Sequence, residues 1–85
     1  MKQEPDYTYT LLLNVRTRPD IVVRCAQVLS RRNHSIETLH ITQQSESTGT
    51  SLMTITAYGK REGVNQIIVQ LKKLTDVTDA QKKEA

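Results

Sequence analysis

The chain has no tryptophan and no phenylalanine, a single cysteine, three glycines and two prolines among its 85 residues. Each shortage removes a class of function. One cysteine, Cys25, leaves no internal disulfide and no thiolate cluster for a metal, and it fits a reducing compartment. The glycines Gly49, Gly59 and Gly63 stand apart, so no glycine-rich loop is available to cradle a nucleotide phosphate. No apolar run approaches the roughly 18 residues of a membrane span, and residues 1–6 are polar and lack the apolar core of a secretion signal. A soluble, cytoplasmic protein that spans no membrane is the expectation. There is no block of one charge either: twelve Lys and Arg against nine Asp and Glu give +3 and a pI near 9.2, but the charges are scattered. With no Phe or Trp to stack bases, nucleic acid is not the expected partner.

What is present is periodic. Tyr7, Tyr9, Leu11, Leu13 and Val15 occupy alternate positions, which predicts a strand with one buried face. Pro19 and Asp20 then open a helix, because proline presets the first-turn backbone and a carboxylate suits the positive end of the helix dipole. Ile21, Val22, Cys25, Ala26, Val28 and Leu29 form its apolar stripe. Asn33 ends it, being a residue that tolerates the left-handed conformation.

Leu39 and Ile41 alternate with Thr38, His40 and Thr42 in a second strand, and the polar run 43–50 reads as a hairpin connection. Met53, Ile55 and Ala57 face inward from a third strand over 51–58, which Gly59 is expected to end. Val64, Ile67, Ile68, Leu71 and Leu74 recur at helical spacing, and Val77 marks a short last strand. The order βαββαβ predicts an α+β, ferredoxin-like domain over residues 7–80, a four-stranded antiparallel sheet with two helices on one face. Residues 1–6 and 81–85 are expected to be flexible tails. Leu12, Ile36 and Leu52 are expected to make the opposite sheet face semi-polar.

No catalytic or metal group emerges. Cys25 lies in an apolar stripe with no base beside it. His34 and His40 are expected on one face, too far apart to share a metal without a third ligand.

The segments Leu11-Leu-Leu-Asn-Val15, Val28-Leu-Ser-Arg-Arg32, Ser35-Ile-Glu-Thr-Leu39 and Gln70-Leu-Lys-Lys-Leu-Thr-Asp-Val77 resemble the ACT domain of the small, regulatory subunit of acetolactate synthase, also called acetohydroxyacid synthase. Ile36-Glu-Thr-Leu39 and Lys73-Leu-Thr-Asp-Val77 are the most diagnostic. The chain is similar to the short, single-domain form. The resemblance implies a non-catalytic subunit that binds and activates a catalytic large subunit in branched-chain amino-acid synthesis. It also implies that the partner carries thiamine diphosphate, Mg²⁺ and FAD, and that this chain supplies no cofactor ligands.

It further implies a homodimer that binds a branched-chain amino acid where the loop after the first strand of one copy meets the second strand of the other. That maps onto Thr17, Arg18, Asp20 and Ile21 and onto Asn33, His34, Ser35 and Ile36. Valine-responsive members have a glycine where Asp20 stands and an asparagine where Ser35 stands. Two like charges about 4 Å apart at an effective dielectric near 20 repel by roughly 4 kcal/mol. An unscreened Asp20 would therefore weaken binding of the effector carboxylate several hundredfold, with Arg16, Arg18 and His34 as candidate counter-charges. Weak or absent valine feedback is the expectation. A free-standing homodimeric amino-acid sensor is the alternative, and a nucleic-acid module of similar topology ranks third.

Overall fold

The computed structural model describes residues 6–83. Its elements are strand β1 (Asp6–Arg16), helix α1 (Ile21–Arg31), strand β2 (Ser35–Ser45), strand β3 (Thr50–Lys60), a 3-10 turn (Arg61–Gly63), helix α2 (Val64–Lys72) and strand β4 (Val77–Lys82). The sheet has the order β2-β3-β1-β4, and its pairs are antiparallel. This is the ferredoxin-like βαββαβ arrangement.

The two periods read from the sequence set the layers. Tyr9, Leu11, Leu13 and Val15 on β1 and Met53, Ile55 and Ala57 on β3 are buried, and they meet Ile21, Cys25, Val28 and Leu29 of α1 and Val64, Ile67 and Leu71 of α2. Intervening side chains line the other face, where Thr10 and Thr56 share a hydroxyl hydrogen bond of 3.2 Å and Leu12 and Leu52 are half-buried. Asn33 has φ 62°, the left-handed conformation expected at the end of α1.

Four details depart from the pattern. First, Ile36 pairs with Ala57 and Leu39 with Ile55, while a register shift lies between Ile36 and Thr38. The extra residue, Glu37, is a bulge that turns Ile36 to the helix side, where it packs partly buried on the core. Ile36 is therefore not on the semi-polar face with Leu12 and Leu52.

Second, the two histidines part company. His34 is 6% exposed within the core side, whereas His40 pairs with Thr54 and is exposed. Third, the hairpin connection is only residues 46–49, closed by Gly49 at φ 64°. β3 continues through Gly59 to Lys60 because Tyr7 and Asp6 of β1 extend the pairing that far.

Fourth, Gln81 and Lys82 stand in β4 opposite Leu12 and Leu11, and the Lys83 N–H donates to the Thr10 carbonyl at 2.8 Å. Asp6 likewise belongs to β1, so the ordered sheet reaches into both expected tails. The rest of those tails, 1–5 and 84–85, lies outside the described residues. A register shift between β1 and β4 after Asn14 lets both Val77 and Ala80, three apart, point into the core.

Candidate functional site

The loop between β1 and α1 is tied down by its own polar residues. The Thr17 N–H donates to the Gly49 carbonyl at 2.7 Å, and its hydroxyl lies 2.6 Å from that of Ser51, a buried residue. Arg18 reaches Asp76, at the entry to β4, with Nε 3.7 Å from Oδ1. The Arg16 N–H donates to the Asp76 carbonyl at 2.7 Å. One turn of loop therefore holds β1, β3 and the entry to β4 together.

Asp20 stands at the N-cap of α1 without capping it. Its carboxylate instead accepts from Arg24 Nε at 2.6 Å. That hydrogen bond, with a backbone hydrogen bond and the charges of Arg24 and Arg18, holds the carboxyl below the ordinary aspartate range against the opposing effect of desolvation. The counter-charge for Asp20 is thus Arg24, four residues along the helix, an acid-then-base spacing that favours the pair. Arg18 contributes at longer range. His34 is at the far end of α1 and does not take part within one chain. Ile21, next in the loop, is 2% exposed and belongs to the core.

The second group of candidates lies past the other end of α1. That helix has eleven residues, and at about 1.5 Å each it sets the two groups about 16 Å apart. Asn33 and Ser35 are exposed, Ser35 opening the edge strand β2, while Ile36 packs against the core. His34 is the surprise. Its Nδ1 lies 2.7 Å from the Tyr9 hydroxyl in the interior, with the rings edge-on at 5.6 Å. Burial holds its pKa below the ordinary histidine value, partly opposed by the nearby charge of Asp6. Burial, with a smaller push from Tyr7, raises Tyr9 to about 12.

The ring fits because two glycines give way. A Cβ on Gly59 would overlap it, and one on Gly63 would come within 2.9 Å of Nε2. One chain therefore presents Thr17, Arg18 and Asp20 at one end and Asn33 and Ser35 at the other, and brings no member of one group to the other. Arg24, Ser51 and Asp76 are the partners the motif reading missed. Only Arg24 carried a sequence signal, its spacing from Asp20. Among the described residues no group of three or more His, Cys, Asp or Glu is placed to hold a metal. Cys25 is buried, and desolvation pushes its thiol up to about 11.

A four-stranded sheet in this order, with a short loop from β1 into a helix, is the ferredoxin-like arrangement that ACT domains share. Solved structures agree. The ACT domain from GTP pyrophosphokinase of Chlorobium tepidum superposes with a TM-score of 0.74 at 13% identity, covering 92% of this chain and 99% of that one. The C-terminal domain of the MgtC protein from Mycobacterium tuberculosis reaches 0.76 at 9% identity, covering 100% and 94%.

The chain belongs to the AHAS small subunit-like ACT domain family, whose model matches residues 11–79. It is 36% identical over 77 residues to a probable acetolactate synthase small subunit of Methanothermobacter thermautotrophicus, covering 91% of this chain and 45% of that protein. It is 36% identical over 70 residues to the acetolactate synthase small subunit of Mycobacterium avium, covering 82% and 41%. The acetolactate synthase small subunit of Thermotoga maritima superposes with a TM-score of 0.73 at 24% identity, covering 89% and 47%. The chain spans less than half the length of these small subunits.

Proposed function

We propose that this chain acts as a non-catalytic small subunit of acetolactate synthase, binding and activating a catalytic subunit in branched-chain amino-acid synthesis. The observation that carries the reading is the family match over residues 11–79. The chemistry, and the thiamine diphosphate, Mg²⁺ and FAD it uses, belong to the partner. Activation is differential binding: the small subunit favours the competent state of the catalytic subunit by holding it more tightly.

The effector site is shared between two copies. Since α1 keeps residues 17–21 away from 33–36 in one chain, an effector touching both requires a homodimer. The exposed edge of β2 supports this, because an eleven-residue edge strand with Ile41 42% exposed is a ready pairing surface. Response to valine is weak. Asp20 puts a side chain where backbone N–H groups would approach the effector carboxylate. Because Arg24 pairs with it, the electrostatic penalty falls well short of the several hundredfold expected of an unscreened charge.

Sedimentation velocity of the chain mixed with the cognate catalytic subunit tests the reading. A co-sedimenting complex is expected. Separate boundaries, together with calorimetric binding of valine, leucine or isoleucine to the chain alone, would replace it with the free-standing homodimeric sensor.

A further inference from the structure

An open cleft of about 490 Å³ lies between the C-terminal end of α1 and the 3-10 turn that precedes α2. Arg31 and Arg32 line it from the helix and Lys60 from the end of β3. None of these three cations makes an ion pair among the described residues, whereas Arg18 and Arg24 both do. Arginines in the last turn and at the C-cap of a helix suit its dipole without any ligand. That explanation does not reach Lys60, on a different element, nor the group on the cleft floor.

That group is His34, more than nine-tenths buried. Hydrogen-bond satisfaction assigns its tautomer. The buried Tyr9 hydroxyl has Nδ1 of His34 as its hydrogen-bond partner, and Tyr9 holds its proton to about pH 12. If Nδ1–H donated, the tyrosine proton would be left without an acceptor in the interior, a cost of about 1–3 kcal/mol. The hydroxyl therefore donates, Nδ1 accepts, and the imidazole proton sits on Nε2.

Nε2 points to the side of Gly63 that a Cβ would fill, 2.9 Å from it, and Gly63 lines the cleft. No residue described accepts from Nε2. Since among the described residues no side-chain nitrogen or oxygen is both sealed from solvent and unpartnered, Nε2 reaches the cleft. Its N–H is a fixed donor, set by Tyr9 and uncovered by a glycine.

We infer that this cleft binds a small phosphorylated polyol of the sugar-phosphate class. Guanidinium forks are the side chains best matched to phosphate oxygens, and the Nε2–H adds a directed neutral donor. Asp6 and Glu62, on the same rim, repel a bare polyanion but accept hydrogen bonds from hydroxyls. The two signs together favour a ligand with an anionic end and a hydroxyl-bearing remainder. The volume falls within the usual small-molecule range of about 300–1,000 Å³. The cleft shares Asn33 and His34 with the second half of the effector reading above but takes in neither Thr17, Arg18 nor Asp20, so its lining needs no residue of a second copy.

The test is calorimetric titration of the full chain with ribose 5-phosphate, ribose and inorganic phosphate as probes. Ribose 5-phosphate is expected to bind at least tenfold more tightly than inorganic phosphate, with ribose alone giving no heat. The Arg31→Gln/Arg32→Gln variant, altered only at exposed positions, should lose affinity at least tenfold. Gly63→Ala should lose it too, with the ¹⁵N signal of His34 Nε2 no longer moving on addition of ligand. Absence of binding at millimolar ribose 5-phosphate would overturn the inference. So would equal affinity for phosphate and sugar phosphate, which marks simple counter-ion attraction, or binding indifferent to the arginine substitutions.

Discussion

His34 shows how a residue's role depends on neighbours far from it in sequence. As a histidine between a helix end and a strand it reads as a surface or ligand-facing group. Nothing local announces that Tyr9, Gly59 and Gly63 form a slot for its ring. Because burial lowers its pKa, the unfolded chain takes up a proton at this position before the folded chain does. Stability should therefore be complete above the unfolded histidine value of about 6.5 and fall as pH drops through it, until the folded value is reached. Urea midpoints should decline between pH 7.5 and 5, and His34→Gln should flatten that slope. A slope unchanged by the substitution would mean that other groups set it.

The same slot predicts that Gly59→Ala destabilises the domain by about 1–3 kcal/mol through overpacking. The cost should largely vanish in a His34→Ala background, where the overlapping ring is gone. Additive losses in the double variant would show that the glycine serves the backbone instead of the ring. Other residues were legible outright. Asn33 was expected to take the left-handed conformation and does so, and Cys25 was expected to be an inert core side chain and is buried with a raised pKa.

At the scale of elements, period gave the two helices and the inner strands β1 and β3, since their buried positions recur at intervals of three and four in the helices and of two in the strands. The edge strands were less legible, for a physical reason. β2 beyond Thr42 and β4 beyond Ala80 are held by backbone pairing with β3 and β1, which leaves no apolar signature in the side chains. The bulge at Glu37 was invisible for another reason: Ile36 and Leu39, three apart, fit neither register of a regular strand, and only the extra residue brings both to the core. Deleting Glu37 should restore strict alternation with Ile36 and Leu39, then two apart, both still on the core side, so β2 should keep its apolar burial. Thermal denaturation with amide exchange along β2 would check it. A deletion that cost the roughly 1–2 kcal/mol of Ile36 burial, with protection lost at the start of β2, would contradict the assigned role of the bulge.

For the whole molecule, the fold and family could be read from the sequence, but the candidate effector site only in part. The motif points to two loops, which the structure sets at opposite ends of α1. It could not show that Ile21 belongs to the core, that Arg24 neutralises Asp20 or that Asp76 holds Arg18, since the last depends on β4 lying beside β1. A domain of this size buries only about 60% of the surface its unfolded chain exposes, and it leaves β2 unpaired at one edge. Both features agree with a subunit that works by association.

The decisive measurement is the rate of acetolactate formation by the cognate catalytic subunit, with and without this chain, each with and without millimolar valine. The rate should rise on adding the chain, and valine should leave it nearly unchanged. A rate indifferent to the chain would contradict the regulatory role itself, and activation fully reversed by valine would keep that role while overturning the part assigned to Asp20.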